Sequence, residues 1–293
     1  GPRKPDFLSA VSSDGMYHAL YISNGEEPGP PITFLPANAK SRQLTVINDV
    51  VYAATSHGCG GAPNGVWALD IPTKEVTHWT PPAGDIAGEG FAFGPDGKIY
   101  AATTSGDLVA LDPKKLEVQG VYRATNEAFS AAPVVFEYKT KTMIAAPTKD
   151  GRIHLVDAAA LTGAGFPGSA AGELASWQDA AGTRWIVAPS RDSVAAWKVA
   201  EQGDTAAMQP GWTSAEMPSP LAPIVVNGVV FAVSNSPSAV LHALDGATGK
   251  ELWNSGETMT AAVRIGGLSG SGSQIYLGTS DGTIYAFGFP IEH

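Results

Sequence analysis

The residue types that most invite chemistry stand together in His57-Gly58-Cys59-Gly60-Gly61. A thiol beside an imidazole pairs a nucleophile with its base, and glycines after it let a backbone approach a ligand. Adjacent residues of a strand-to-strand loop seldom point at one another, however, and a small apolar cysteine in a tight loop accounts for the same letters. Glu89 with Asn126 is the best pair of oxygen donors for a hard cation, but without a ligand-spacing rule the two do not define a metal site. Asp70, Asp112, Asp157 and Asp245 recur, each just ahead of a turn. That position suits capping of backbone amides better than a ring of metal ligands. The sequence shows no Ser-His-Asp pattern, no phosphate-cradling glycine loop and no histidine pair at metal spacing. His18, His154 and His242 share one repeat position, which reads as structure.

These residues hang on a repeat. Its cleanest copy is PIVVNGVVFAVS at residues 223–234 followed by VLHALDGATGKELWNS at residues 240–255. Asn227-Gly228 supplies the two positive-φ residues of a tight hairpin, Asp245 opens the next turn, and Trp253 falls on the outer strand. The Ala-Leu-Asp landmark recurs at Ala19, Ala68, Ala110, Leu155, Ala196, Ala243 and Ala286, at intervals of 41 to 49 residues. Second-strand copies such as Val51-Tyr52-Ala53-Ala54-Thr55 and Ile99-Tyr100-Ala101-Ala102-Thr103 keep the same phase. A period in this range signals four-stranded blades. The expectation is an all-β fold, a β-propeller of four-stranded antiparallel blades with seven repeats in this chain. Residues 163–172 read as a loop replacing an outer strand, and residues 200–210 as a polar insertion.

Composition agrees. The 293 residues include 34 Gly and 22 Pro with 16% charged residues, which favours short strands and turns over helices. A net charge of −10 argues against nucleic acid, whose phosphates need a basic field. No apolar run approaches the length of a membrane helix. Cys59 is the single cysteine, so no internal disulfide and no multi-cysteine zinc site can form. Residues 1–6 read as a linker remnant or tag scar and residues 7–293 as one propeller domain. The first repeat starts at Phe7 with what reads as a second strand, so something must complete its blade.

The repeat Ala-x-Asp-x-x-x-Gly-x-x-x-Trp, met in full at Ala243, Asp245, Gly249 and Trp253, resembles the pyrroloquinoline-quinone-type propeller repeat. That repeat occurs in quinoprotein alcohol dehydrogenases and in non-enzymatic outer-membrane assembly propellers. The stretches SSDGMYHALYISNGEEP, SHGCGGAPNGVWALD and DGTIYAFGFPIEH are similar to a soil-bacterial group of unassigned function. The resemblance implies a periplasmic or secreted location, and an upstream segment of the same polypeptide that completes an eight-bladed ring. The dehydrogenases use pyrroloquinoline quinone with Ca²⁺, stacked on an adjacent-cysteine disulfide that a single cysteine cannot form.

Two functions therefore stand. The first is a ligand- or partner-binding scaffold without a catalytic constellation, recognising a small polar ligand or a protein. The alternative is a quinone-dependent dehydrogenase of alcohols or sugars whose site is completed by upstream sequence. In a propeller, residues opening inner strands and residues in second-to-third-strand loops share one axial face. That selects Arg42, His57, Glu89, Asn126, Glu127, Lys149, Arg191, Glu216 and Arg264 as the candidate binding residues, with no metal ligands assigned. Trp67, Trp79, Trp197 and Trp253 read as packing between blades.

Overall fold

The computed structural model describes residues 6–124, 127–203, 205–263, 267–271 and 273–288. The fold is an all-β propeller of seven antiparallel blades. Helix among the described residues is confined to two single turns, Cys59–Gly61 and Gly256–Thr258. The chain falls into two compact units, Gly1–Ala132 and Pro133–His293.

The first unit holds three sheets. Blade 1 has β1 (Phe7–Val11), β2 (Met16–Tyr21) and β3 (Ile32–Thr33), paired in that order. Blade 2 has β4 (Ser41–Ile47), β5 (Val50–Thr55), β6 (Gly65–Asp70) and β7 (Glu75–Trp79). Blade 3 has β8 (Ala92–Phe93), β9 (Ile99–Ala102), β10 (Asp107–Leu111) and β11 (Val118–Arg123). The second strand β5 is buried along its whole length because its two faces serve two cores. Val51 and Ala53 meet Tyr17 and Leu69 on one side, whereas Val50, Tyr52 and Ala54 meet Ile99 and Val109 on the other. A strand covered on both faces reads as a continuous apolar run, which is why these copies do not alternate.

The second unit holds four sheets. Blade 4 has β12 (Val134–Tyr138), β13 (Lys141–Pro147), β14 (Ile153–Asp157) and β15 (Thr162–Phe166). Blade 5 has β16 (Ala175–Gln178), β17 (Arg184–Pro189), β18 (Val194–Gln202) and β19 (Thr205–Thr213). Blade 6 has β20 (Ile224–Val226), β21 (Val229–Asn235), β22 (Ala239–Asp245) and β23 (Glu251–Asn254). Blade 7 pairs β24 (Ser269–Ser271), β25 (Gln274–Gly278) and β26 (Ile284–Gly288).

Two expectations are corrected. Residues 163–166 of the Gly/Ala-rich stretch belong to the outer strand β15, with Gly163 opposite Val156 and Gly165 opposite His154. Gly163 lies so close to the Leu155 backbone that a Cβ would clash, so the glycine is a packing requirement rather than a loop signal. The polar stretch of residues 200–210 is no insertion loop. It lengthens β18 and β19 into a hairpin, pairing Ala200 with Ala207 and Gln202 with Thr205. Lys139, on the blade 4 turn, pairs with Glu201 of that hairpin.

Candidate functional site

The turn aspartates are built into their own blades. Asp245 Oδ1 accepts from the amides of Ala247 and Thr248 at 3.2 and 2.9 Å and from the Thr248 hydroxyl at 2.7 Å. Asp112 Oδ1 takes the amides of Lys114 and Lys115 at 2.9 and 2.7 Å, and Asp157 Oδ1 those of Ala159 and Ala160. Asp70 takes the amide and hydroxyl of Thr73. Hydrogen bonds to the charged form hold two of these carboxyls below their usual range, Asp70 chiefly through the Thr73 amide and Asp245 chiefly through the Thr248 hydroxyl.

Of the candidate axial residues, the structure brings Arg42 and Glu89 together. Arg42 lies at a bulge in β4 and donates from Nη1 to Glu89 Oε1 at 2.6 Å and to the Gly88 carbonyl at 3.2 Å. The bulge turns out Gln43, at φ 49°, whose side-chain amide mimics a strand. Gln43 donates to the Phe91 carbonyl at 3.1 Å and accepts from the Phe91 amide at 2.8 Å. Asn235 makes the same two-way contact with the backbone of Val263, at 3.2 and 2.6 Å. Sequence reading missed Gln43, because the bulge that frees it leaves no mark in composition or period.

The other candidates are not gathered into a cluster. His57, left-handed at φ 65°, has Nδ1 2.9 Å from Ser56 Oγ, and no described contact links it to Cys59. Gly60 of that loop has a packing reason: a Cβ there would collide with the Ala37 carbonyl. Glu127 is half-buried with its carbonyl against Gly106, while Lys149, Arg191 and Glu216 are exposed. No ion pair of Lys149, Arg191 or Glu216 is found among the described residues. Asn126 and Arg264 lie outside the described residues.

The structure also assembles a constellation that no sequence pattern announced. Ser234 Oγ is 3.1 Å from His242 Nε2, and His242 Nδ1 is 2.6 Å from Glu251 Oε2. Blade 1 repeats it: Ser12 Oγ is 2.9 Å from His18 Nε2, and His18 Nδ1 is 2.6 Å from Glu27 Oε1. The connectivity is that of a hydrolase triad. Two facts make it a fastening instead. Ser234 is only 6% exposed, and Ser12 donates its hydroxyl hydrogen to Asp14. Moreover, Ser12, Thr55, Thr103, Thr148, Ser190, Ser234 and Thr279 stand at the end of the second strand in the seven blades; six of these hydroxyls bond within their own hairpin, whereas Ser190 donates to Ser169. Thr103, Thr148 and Thr279 do so by bonding the carbonyl four residues on. In blade 2 the third-strand position is Trp67, whose Nε1 donates to Thr55 Oγ1 at 2.8 Å. The signal was present as the shared nine-residue step from His18 to Glu27 and from His242 to Glu251. His154, the third copy, has Gly163 at that step, and burial pushes its imidazole pKa down.

Pyrroloquinoline quinone and its cation need a carboxylate base, gathered oxygen ligands and a flat stacking platform. Glu89 is committed to Arg42 and the repeated aspartates to turn amides. Among the described residues, no group of three or more His, Cys, Asp or Glu side chains is placed to hold a metal ion. Cys59 stands alone. The residues present do not fit that pair.

Comparison with known proteins agrees with this picture. The family described as outer membrane protein assembly factor BamB matches residues 64–288. BamB from Moraxella catarrhalis superposes with a TM-score of 0.67 at 15% identity, covering 98% of this chain and 80% of that one. The computationally designed Ika8 protein superposes at 0.65 and 16% identity, covering 98% and 82%. At these identities the likeness is one of fold. No curated protein matches by sequence.

Proposed function

We propose, from the premise that this chain belongs to the outer membrane protein assembly factor BamB family, that it is a non-catalytic scaffold for a protein partner outside the cytoplasm. The observation that carries this reading is where the polar groups are committed. The carboxylate and imidazole constellations fasten blades from within, at His18–Glu27 and His242–Glu251, and the turn aspartates bond their own amides. Lys149 and Arg191, on second-to-third-strand turns, and Glu216 stay exposed. Mixed charge on such turns steers and orients a protein surface more readily than it performs a reaction.

A photo-crosslinking residue placed at Arg191 tests this, with one at Lys115 on a third-to-outer-strand turn as the control. In cells, position 191 should give a discrete protein adduct that Lys149→Glu weakens, and position 115 should not. Equal labelling at both, or none at 191, overturns the reading. Titration with pyrroloquinoline quinone and Ca²⁺ should leave the absorbance spectrum additive and give no dye reduction with alcohols or sugars. A bound-quinone spectrum would restore the dehydrogenase.

A further inference from the structure

Blades 5 and 6 each seat an indole ring against the blade that follows. Trp212 lies opposite Ala196, and Trp253 opposite Ala243, each beside a bulge in the ladder. Trp212 Nε1 donates to the Gly246 carbonyl of blade 6 at 2.9 Å, and the Trp253 ring stands 5.7 Å from Phe287 of blade 7. Blade 4 departs from this pattern. Its register sets Ala164 opposite Leu155, so a methyl group stands where the next two blades carry a ring. Leu155 faces blade 5, sharing a buried core with Ile186 and Trp197, and residues directly opposite in a ladder share one face.

Leu155, in place of the alanine of blades 5 and 6, returns part of the lost volume. A cavity of about 320 Å³ remains, lined by Met143, Leu155, Ala164 and Phe166 of blade 4 with Thr205 and Ala206 of blade 5. Met143 and Leu155 are buried and form its floor, while Ala164 and Thr205 are exposed at its mouth. Its charged side is the ion pair of Lys141 Nζ with Asp157 Oδ2, at 3.3 Å. The other oxygen of Asp157 already takes the amides of Ala159 and Ala160, at 3.0 and 3.3 Å. Lys141 has capacity left: an ammonium carries three hydrogens, one is given to Asp157, and the side chain is 57% exposed.

We infer that this cavity between blades 4 and 5 binds a small planar aryl carboxylate. The ring enters where the absent indole would lie, against Phe166, Met143 and Leu155, and the carboxylate meets the Lys141 ammonium. Apolar cavities left by a missing side chain take aromatic molecules, and the volume falls within the range of small-molecule sites, about 300–1,000 Å³. The site stands at the end of β13 where Lys141 begins the strand, away from the Lys149 turn that follows Pro147. It does not depend on the partner-binding reading above.

The test is calorimetric titration of the full chain with indole-3-acetate, with acetate and neutral indole as the two halves of that probe. Indole-3-acetate should bind saturably with a Kd of about 1 mM or tighter, indole more weakly, and acetate not at all. Lys141→Met should weaken indole-3-acetate about fivefold or more and leave indole unchanged. Ala164→Trp supplies the ring from within the chain and should abolish binding of both. A second arm leaves the cavity open: in a Cys59→Ser background, Ala164→Cys puts the one thiol at the mouth. Indole-3-acetate should slow its alkylation about fivefold or more, and acetate at the same concentration should not. Should Ala164→Trp fail to fold, this labelling decides. No binding of indole-3-acetate tighter than about 1 mM, equal protection by acetate, or binding that a folded Ala164→Trp protein retains overturns the inference.

Discussion

His242 Nδ1 lies 2.6 Å from Glu251 Oε2, joining the third strand of blade 6 to its outer strand, while Ser234 closes the far side of the ring. The bond to His242 is the largest cause that holds the Glu251 carboxyl below its usual range. A depressed folded-state pKa contributes stability above the unfolded value and loses it as pH falls through the folded one. Glu251→Gln should therefore cost about 0.5–1 kcal/mol near neutrality, a figure limited by solvent screening of this exposed carboxylate. The difference from the parent should vanish in acid, below both pKa values. Urea unfolding at neutral and acid pH checks it, and a gap that persists undiminished in acid would assign the effect to packing.

A Ser or Thr hydroxyl ends the second strand of each blade, and at Thr103, Thr148 and Thr279 it bonds the carbonyl four residues on. Thr103 is buried, accepts from the Asp107 amide at 2.9 Å and lies 2.9 Å from Ser105 Oγ. Thr103→Val keeps the shape and strands the Asp107 amide, which should cost about 1–3 kcal/mol. Thr103→Ser should recover most of it. Denaturant midpoints with unchanged m-values would measure this directly.

Gln43 stitches blade 2 to the segment entering blade 3 through both polar groups of Phe91. Gln43→Ala leaves an amide and a carbonyl unpaired and should destabilise by about 1–2 kcal/mol. Gln43→Glu should be worse, since a carboxylate would face the Phe91 carbonyl. Hydrogen exchange at Phe91 should quicken in both variants while exchange in β13 stays as in the parent.

The blades were legible because each copy carries two landmarks in phase. Apolar second strands and turn residues such as Asp245-Gly246 are local facts, set by backbone sterics and two-sided burial. What escaped were features that depend on neighbours. Residues 200–210 look like a polar insertion until β18 and β19 pair, and Gly163 looks like loop until Leu155 presses on it. Trp253 does meet the neighbouring blade, with its ring 5.7 Å from Phe287, yet remains 47% exposed. The candidate site was the least legible part. The Arg42–Glu89 pair spans forty-seven residues, and Gln43 gains its role only from a bulge.

The His57-Gly58-Cys59-Gly60-Gly61 loop offers the sharpest separation of chemistry from architecture. Gly58 and Gly60 both hold left-handed backbone, at φ 60° and 64°. A Cβ on Gly58 meets open space, but one on Gly60 runs into the Ala37 carbonyl and the backbone of Asn38 and Ala39. Gly58→Ala should cost only the left-handed penalty, about 1–2 kcal/mol. Gly60→Ala must also move backbone and should cost about 3 kcal/mol or more. If the loop is architecture, Cys59→Ser should leave stability and the Arg191 adduct as in the parent. Thermal unfolding of the three variants, with thiol labelling of the parent, decides between the readings. A Cys59→Ser protein that folds normally but loses the adduct would return the thiol to the site.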